Sequence, residues 1–184
     1  MDAHMRLREL RRSDLLELNA WRNDREVVAG LGSHFAFVGP EVDDAWFSAY
    51  LASRRSNIRL AIVDDQPGST ETLIGCIYLL DISWVARSAE LALMIGRKDY
   101  WNRGIGSRAT AALLEHAFTD LGLHRIWLRV NVDNAPARRV YSGAGFRVEG
   151  TLQQACFKEG KYVDVHLMAI LADEYARKRQ DAAG

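Results

Sequence analysis

Apolar positions change period along the chain, from helical spacing to alternation and back. "MRLREL" predicts a short strand with Met5, Leu7 and Glu9 on one side. Ser13 is placed to cap a helix with Asp14 in its first turn, and Leu15, Leu18 and Trp21 mark the inner face. "AWRNDREV" belongs to this first helix. "GSHFAFVGP" reads as a loop, and Pro40 opens a second helix with an apolar stripe of Val42, Ala45, Trp46, Ala49 and Tyr50.

The middle of the chain alternates. "IRLAIVDD" and "TLIGCIYLLDI" are strand-like runs joined through Pro67-Gly68, a hairpin signal, and "SAELALMIG" is a third. A helix follows with Ile105, Ala109, Ala112, Leu113, Ala117 and Leu121 on one face, stopping at Gly122. "HRIWLRVN" is again a strand. "NAPARRVYSGAG" is a short helix with Asn134 as N-cap, Pro136 in the first turn and Gly145 at the exit. A last strand, "YVDVHLMAIL", precedes a charged tail read as frayed, with a further short strand near Phe146 left open. The order β-α-α-β-β-β-α-β-α-β predicts one α+β domain over 1–184. Within it, 1–56 form an N-terminal strand and two helices, 57–172 the sheet, and 173–184 the tail.

Composition narrows the function. The 184 residues are 48% hydrophobic and 26% charged, enough for a core. The formal net charge is zero, so no global field draws the chain to nucleic acid or membrane, and any basic site must be local. No apolar run reaches the ~20 residues of a membrane span. "MDAHMRLRELRRSD" lacks an apolar signal core, which predicts a cytoplasmic protein. Cys76 and Cys156 have neither disulfide nor metal-ligand spacing and read as small core residues, so no metal is expected.

The local basic site is "DYWNRGIGSRATAALLEHAF", residues 99–118, where Gly104, Gly106 and several arginines precede an amphipathic helix. A helix start offers unpaired amides and partial positive charge, a ready phosphate cradle. The other reading is a glycine turn with a solvated basic face. A P-loop needs a lysine after the second glycine, and Gly106 is followed by Ser107. Gly104 to Ala109 fits G-x-G-x-x-A, the dinucleotide fingerprint. However, "RKDYWNR" separates it from its strand, and only about 50 residues follow the next one, too few for a doubly wound sheet. An NAD(P)-binding oxidoreductase is therefore the remote alternative.

Three stretches in order, "ELALMIG", "YWNRGIG" and "NVDNAPARRVYSGAGFRVEGTL", followed by "QQACFKEGKYVDVHLMAIL", resemble the GCN5-related N-acetyltransferase (GNAT) superfamily. Within it the chain is most similar to the branch of ribosomal-protein and polyamine acetyltransferases. Trp101 stands where the family's [QR]-x-x-G-x-[GA] loop begins with Gln or Arg. The resemblance implies a mixed, mostly antiparallel sheet with flanking helices and a splayed strand pair at the cofactor. It implies acetyl-CoA as donor and a primary amine as acceptor, a small molecule or a protein N-terminus, in a ternary complex. The main chain of Met94 and Ile95 would hold the pantetheine and offer an oxyanion donor. Asn102, Arg103, Gly104, Ile105, Gly106 and Ser107 would cradle the pyrophosphate, with Asn134 and Arg139 completing the cofactor site.

Tyr141 falls at the family's tyrosine position and is the candidate acid for the departing thiolate, since a phenol near pKa 10 can donate there. Packing alone is the competing reading. Glu90, on the strand leading into the loop with Ala92 and Met94 on its side, is the candidate base, directly or through a water. An exposed strand glutamate is the alternative. Glu149, Asp164 and His166 are weaker candidates for an amine pocket. The resemblance assigns the acceptor pocket to Trp21, Asn23, His34, Phe35, Trp46, Phe157 and Tyr162, although Trp21 and Trp46 also read as core. Residues 28–50 carry no acid beyond Glu41, Asp43 and Asp44, which leaves a highly charged polyamine plausible but not favoured. A non-catalytic acetyl-CoA sensor remains a second reading, and a homodimer is common in this branch.

Overall fold

The alternating middle of the chain becomes one sheet in a computed structural model, which describes residues 4–183. Strands β1 (Met5–Glu9), β2 (Ile58–Asp64), β3 (Thr72–Ser83), β4 (Ser88–Ile95), β5 (Arg125–Asn131), β6 (Arg147–Lys158) and β7 (Lys161–Leu171) lie in the order β1-β2-β3-β4-β5-β7-β6. All neighbours are antiparallel except β4 and β5. That parallel pair is joined at Ser88–Arg125, Ala89–Ile126 and Glu90–Trp127 only, after which the strands part. The splay anticipated from the sequence therefore begins just past Glu90. A mostly antiparallel sheet also rules out the doubly wound architecture that an NAD(P) site would need.

The helices are α1 (Leu15–Arg22), α2 (Arg25–Ala29), α3 (Pro40–Ala52), α4 (Ile105–Glu115), α5 (Ala135–Ala144) and α6 (Ala172–Ala183). One sheet face packs on α4 and α5, where Ile77, Leu91, Ile126 and Leu128 meet Ile105, Ala109, Leu113 and Tyr141. The other packs on α1 and α3, where Ala61, Val63 and Leu73 meet Leu18, Trp21, Phe47 and Tyr50.

Several expectations are corrected. Ser13 does not cap α1: the buried Asp14 carboxylate accepts the Arg11 amide at 2.7 Å and pairs with Arg8 at 2.8 Å, which is what turns the chain into the helix. "AWRNDREV" is not one helix. α1 ends at Arg22, and the Asp24 carboxylate caps α2 by accepting the Glu26 and Val27 amides. The buried face of α3 carries Asp43, Phe47 and Tyr50 rather than Val42, Ala45 and Ala49, because Asp43 turns inward to Arg22 and Asn19. The strand near Phe146 is the long edge strand β6. The tail is not frayed: α6 stacks Tyr175 on Phe118 (5.0 Å) and pairs Arg179 with Glu115 (3.0 Å).

Of the two cysteines, Cys76 is buried and Cys156 partly exposed. Burial pushes the Cys76 thiol from 9.0 up to about 12. The unfolded chain sheds this proton first, so stability should fall through that window by about 1.4 kcal/mol per pH unit from this group. Chemical denaturation between pH 9 and 11 should show a shallower fall for Cys76→Ala; equal slopes would contradict the assignment.

Candidate active site

The loop between β4 and α4 is built on close contacts. A Cβ on Gly96 would lie 1.9 Å from the Trp21 ring, so only glycine lets β4 end against α1. The Gly96 and Arg97 amides both donate to the Ile74 carbonyl at 3.0 Å. The Trp101 indole donates to the Ile95 carbonyl at 2.8 Å, pinning the loop back on the strand end. Trp101 thus anchors the loop while leaving the helix start open.

Asn102 (φ 59°) and Gly104 (φ 71°) are both left-handed and flank Arg103. This backbone turns the chain into α4, whose first amides, on Ile105, Gly106 and Ser107, have no side-chain cap. Uncapped amides at a helix start suit an anion, so the cradle fits a pyrophosphate. Gly106 plays a different part from the one its missing Cβ suggests. A Cβ there would point at Leu93 and Val140, 3.5 and 3.6 Å away in ordinary contact, so it faces the packing between α4, β4 and α5. The basic cluster is also partly committed. Arg97 pairs with Asp99, and Lys98 with Asp24 and Glu26, while Arg103 lies 5.3 Å from the Tyr100 ring.

Asn134 does two jobs at the start of α5. Its carbonyl oxygen accepts the Ala137 amide at 3.1 Å, and its amide donates to the Gly30 carbonyl at 2.7 Å, tying α5 to the end of α2. Val140 packs at the first turn of α4. The next residue, Tyr141, is buried edge-to-face on Phe146 at 5.8 Å. Desolvation alone pushes its phenol up to about 12, so it stays protonated at neutral pH. Arg139 lies exposed on the same helix.

Glu90 sits at the fork between β4 and β5, on the α1/α3 side of the sheet, with its side chain 12% exposed. Arg129 of β5 donates to it from Nε at 3.0 Å and from a terminal nitrogen at 3.4 Å. The three weaker candidates have structural partners: Glu149 pairs with Arg125, Asp164 accepts the Gln154 amide at 2.8 Å, and His166 meets Thr151 at 2.9 Å.

The acceptor-side residues divide. Trp21 is core. Asn23 shapes the loop after α2 by donating to the Val38 carbonyl (2.8 Å) and accepting its amide (3.0 Å). Phe35 lies under Arg25 (4.1 Å), His34 is exposed, and Phe157 and Tyr162 meet edge-to-face at 5.1 Å on the β6–β7 hairpin. Trp46 is half-buried beside Arg22 and Arg59. Sequence reasoning missed Arg59, Asn131, Lys158 and the pairing of Arg129 with Glu90. Asn131 ends β5 with a buried side-chain oxygen that lacks a partner, at the wall of a cavity of ≈ 270 Å³ that Gly30, Asn134 and Lys158 also line. The Lys158 ammonium closes the end of α2 by donating to the Val28 and Ala29 carbonyls at 2.7 and 2.9 Å. The parallel strand-end signal at Asn131 was available; Arg59 emerges only from strand register.

Among the described residues no group of His, Cys, Asp and Glu is arranged to hold a metal, and no helix is long and apolar enough to cross a membrane.

Comparisons with known proteins agree with this geometry. The acetyltransferase (GNAT) domain family matches residues 4–147. The spermidine N(1)-acetyltransferase of Vibrio cholerae is 31% identical over 182 residues, covering 98% of this chain and all of the relative. An L-amino acid N-acetyltransferase of Escherichia coli is 35% identical over 114 residues, 57% of this chain and 70% of that protein. The crystal structure of the V. cholerae spermidine N-acetyltransferase in complex with CoA and spermine superposes with a TM-score of 0.86 at 28% identity, covering 94% of this chain and 98% of that one. With a splayed β4–β5 pair, an uncapped α4 and a family match over most of its length, the chain belongs to the GNAT family and is an acetyl-CoA-dependent N-acetyltransferase.

Proposed function

We propose that the chain acetylates a small primary amine by direct attack in a ternary complex, with Glu90 as base and Tyr141 as acid. The carrying observation is the fork after Glu90: it leaves backbone of β4 open from Leu91 to Ile95 beside an uncapped α4. Backbone of Met94 and Ile95 then holds the pantetheine arm and offers an N–H to the developing oxyanion. Asn102 to Ser107, with Asn134 and Arg139, hold the rest of the cofactor.

An amine near pKa 10 is mostly protonated at neutral pH, so it must lose a proton before or during attack. Glu90 receives it directly or through a water. As the C–S bond breaks, the Tyr141 phenol gives its proton to sulfur, the thiol leaves, and the second proton on the new amide nitrogen passes to the phenolate, restoring Tyr141. Burial keeps that proton in place until it is needed.

The V. cholerae relative is named for spermidine and the E. coli relative for L-amino acids. Both are small amines, which supports that acceptor class ahead of a protein N-terminus. The same reading treats 1–184 as a single acetyltransferase domain, in keeping with one sheet that takes strands from Met5 to Leu171. Two free cysteines suit a cytoplasmic location. A homodimer suits β6, a twelve-residue edge strand exposed along most of its length, since such edges invite pairing. Light scattering at micromolar concentration reads that directly.

Glu90→Gln tests the base. At pH 7 kcat should fall about a hundredfold. The deficit should shrink above pH 9, where the free amine no longer needs help. Matching pH–rate profiles for variant and parent would remove Glu90 from the mechanism.

A further inference from the structure

Arg59 of β2 faces the α1/α3 side of the sheet and has no acidic partner among the described residues. On that face Arg8 pairs with Asp14, Arg22 with Asp43, Arg54 with Glu9 and Arg129 with Glu90. Arg59 instead lies among rings: its guanidinium is 4.6 Å from Trp46, 4.9 Å from Tyr78 and 5.7 Å from Tyr50. Its Nε is buried without a hydrogen-bond acceptor. A guanidinium presents a planar fork of donors that matches an anionic oxygen pair, and here part of that fork is unused.

Register places this group beside the reaction centre. Arg59 is opposite Tyr78, and Tyr78 is opposite Ala92, so the three share one row and one face. Ala92 is two residues beyond Glu90, on the open part of β4. Two strand spacings of about 4.8 Å put the Arg59 backbone about 10 Å from that of Ala92. The Arg59 guanidinium lies over the Tyr78 ring, in the row that leads to Ala92.

Residues 30–39, "GLGSHFAFVG", contain no carboxylate. Of the acids around them, Asp43 is held by Arg22 and Asn19, and Asp24 and Glu26 by Lys98, while Glu41 is exposed at the start of α3.

We propose that the amine acceptor also carries a carboxylate, as an amino acid or short peptide does, and that Arg59 binds it while the amine faces Glu90. The proposal rests on the acetyltransferase reading of the β4–β5 fork and names the substrate class of that site. Trp46 and Tyr78, 6.3 Å apart with Arg59 over both, form the apolar wall for the acceptor's side chain.

The test is a thiol-release panel of free L-amino acids, dipeptides, their C-terminal amides, aminoalkyl phosphates and spermidine. In parallel, calorimetry measures binding of the N-acetyl amino acids to the protein–CoA complex. Carboxylate-bearing amines should be used with a KM at least tenfold below that of their amides. Arg59→Gln should erase that difference and leave the KM for acetyl-CoA unchanged, while Arg59→Lys, which keeps charge without the fork, should restore part of it. Spermidine or a phosphate outperforming every carboxylate would overturn the proposal. So would discrimination that survives Arg59→Gln, or the absence of both turnover and binding for every carboxylate. If spermidine is acetylated while carboxylates fail, acetyl transfer stands and only the role of Arg59 falls. If acetyl-CoA neither binds nor is consumed, the reading of the fork falls with it.

Discussion

Tyr141→Phe should lower kcat by about a hundredfold or more while the KM for acetyl-CoA stays within a few-fold. The substitution removes one oxygen and keeps the ring that packs edge-to-face on Phe146. Its effect on folding should be small, because the phenol is shifted by desolvation alone and no hydrogen bond adds to the shift. Unfolding midpoints of the two proteins should therefore lie within a few degrees. The pH dependence carries a sign. A phenol raised to about 12 remains a donor well past its ordinary value near 10, so ionisation of Tyr141 should cause no loss of rate below pH 10. Retention of kcat within twofold would reduce Tyr141 to a packing residue.

Gly96→Ala should destabilise the fold by about 3 kcal/mol, because overpacking at a rigid wall forces the backbone or the ring to move. The added methyl would stand 1.9, 2.2 and 2.4 Å from atoms of the Trp21 indole, and that ring is buried between α1 and the end of β4. For a chain of this size the unfolding midpoint should drop by about 6 to 12 °C. The adjoining loop should loosen with it, since Trp101 is anchored on Ile95 immediately before Gly96. Gly106→Ala is the control: its methyl meets Leu93 and Val140 at ordinary distance, and its midpoint should hold or rise slightly. Thermal unfolding that ranks the two variants equally would contradict the packing argument.

What was legible in the sequence was local chemistry. Asn134, Pro136 and Gly145 delimit α5 as their types require: the amide side chain caps, proline fits the first turn, and Gly145 takes φ 107° at the exit. The glycine and asparagine of the α4 cradle were equally visible, because left-handed backbone is restricted to few residue types. Long-range physics was not visible. Reading α3 by hydrophobicity alone put Val42 inside, where Asp43 sits instead, since an ion pair with Arg22 permits a carboxylate to face inward. β6 lacks an apolar alternation because nearly all of it is exposed at the sheet edge, and bulges at Val148–Gly150 and Leu152–Cys156 break its period. Half of α6 is charged, and it is held by partners from far along the chain, Phe118, Glu115 and Arg147.

The candidate site divides along the same line. The cradle, Asn134 and Tyr141 are short-range motifs legible in the sequence itself. That Glu90 marks the point where β4 leaves β5 depends on strand pairing across 37 residues, and so does its pairing with Arg129. Arg59 becomes a site residue only when β2, β3 and β4 are laid in register.

The most direct measurement of the account is thiol release from acetyl-CoA by the purified protein, with mass spectrometry of the amine from the same tube. Transfer within a ternary complex predicts one acetamide formed per thiol released, release that requires the amine, and a rate that collapses in Tyr141→Phe. Thiol released without acetamide, or no release while acetyl-CoA fails to raise the unfolding midpoint, would contradict it.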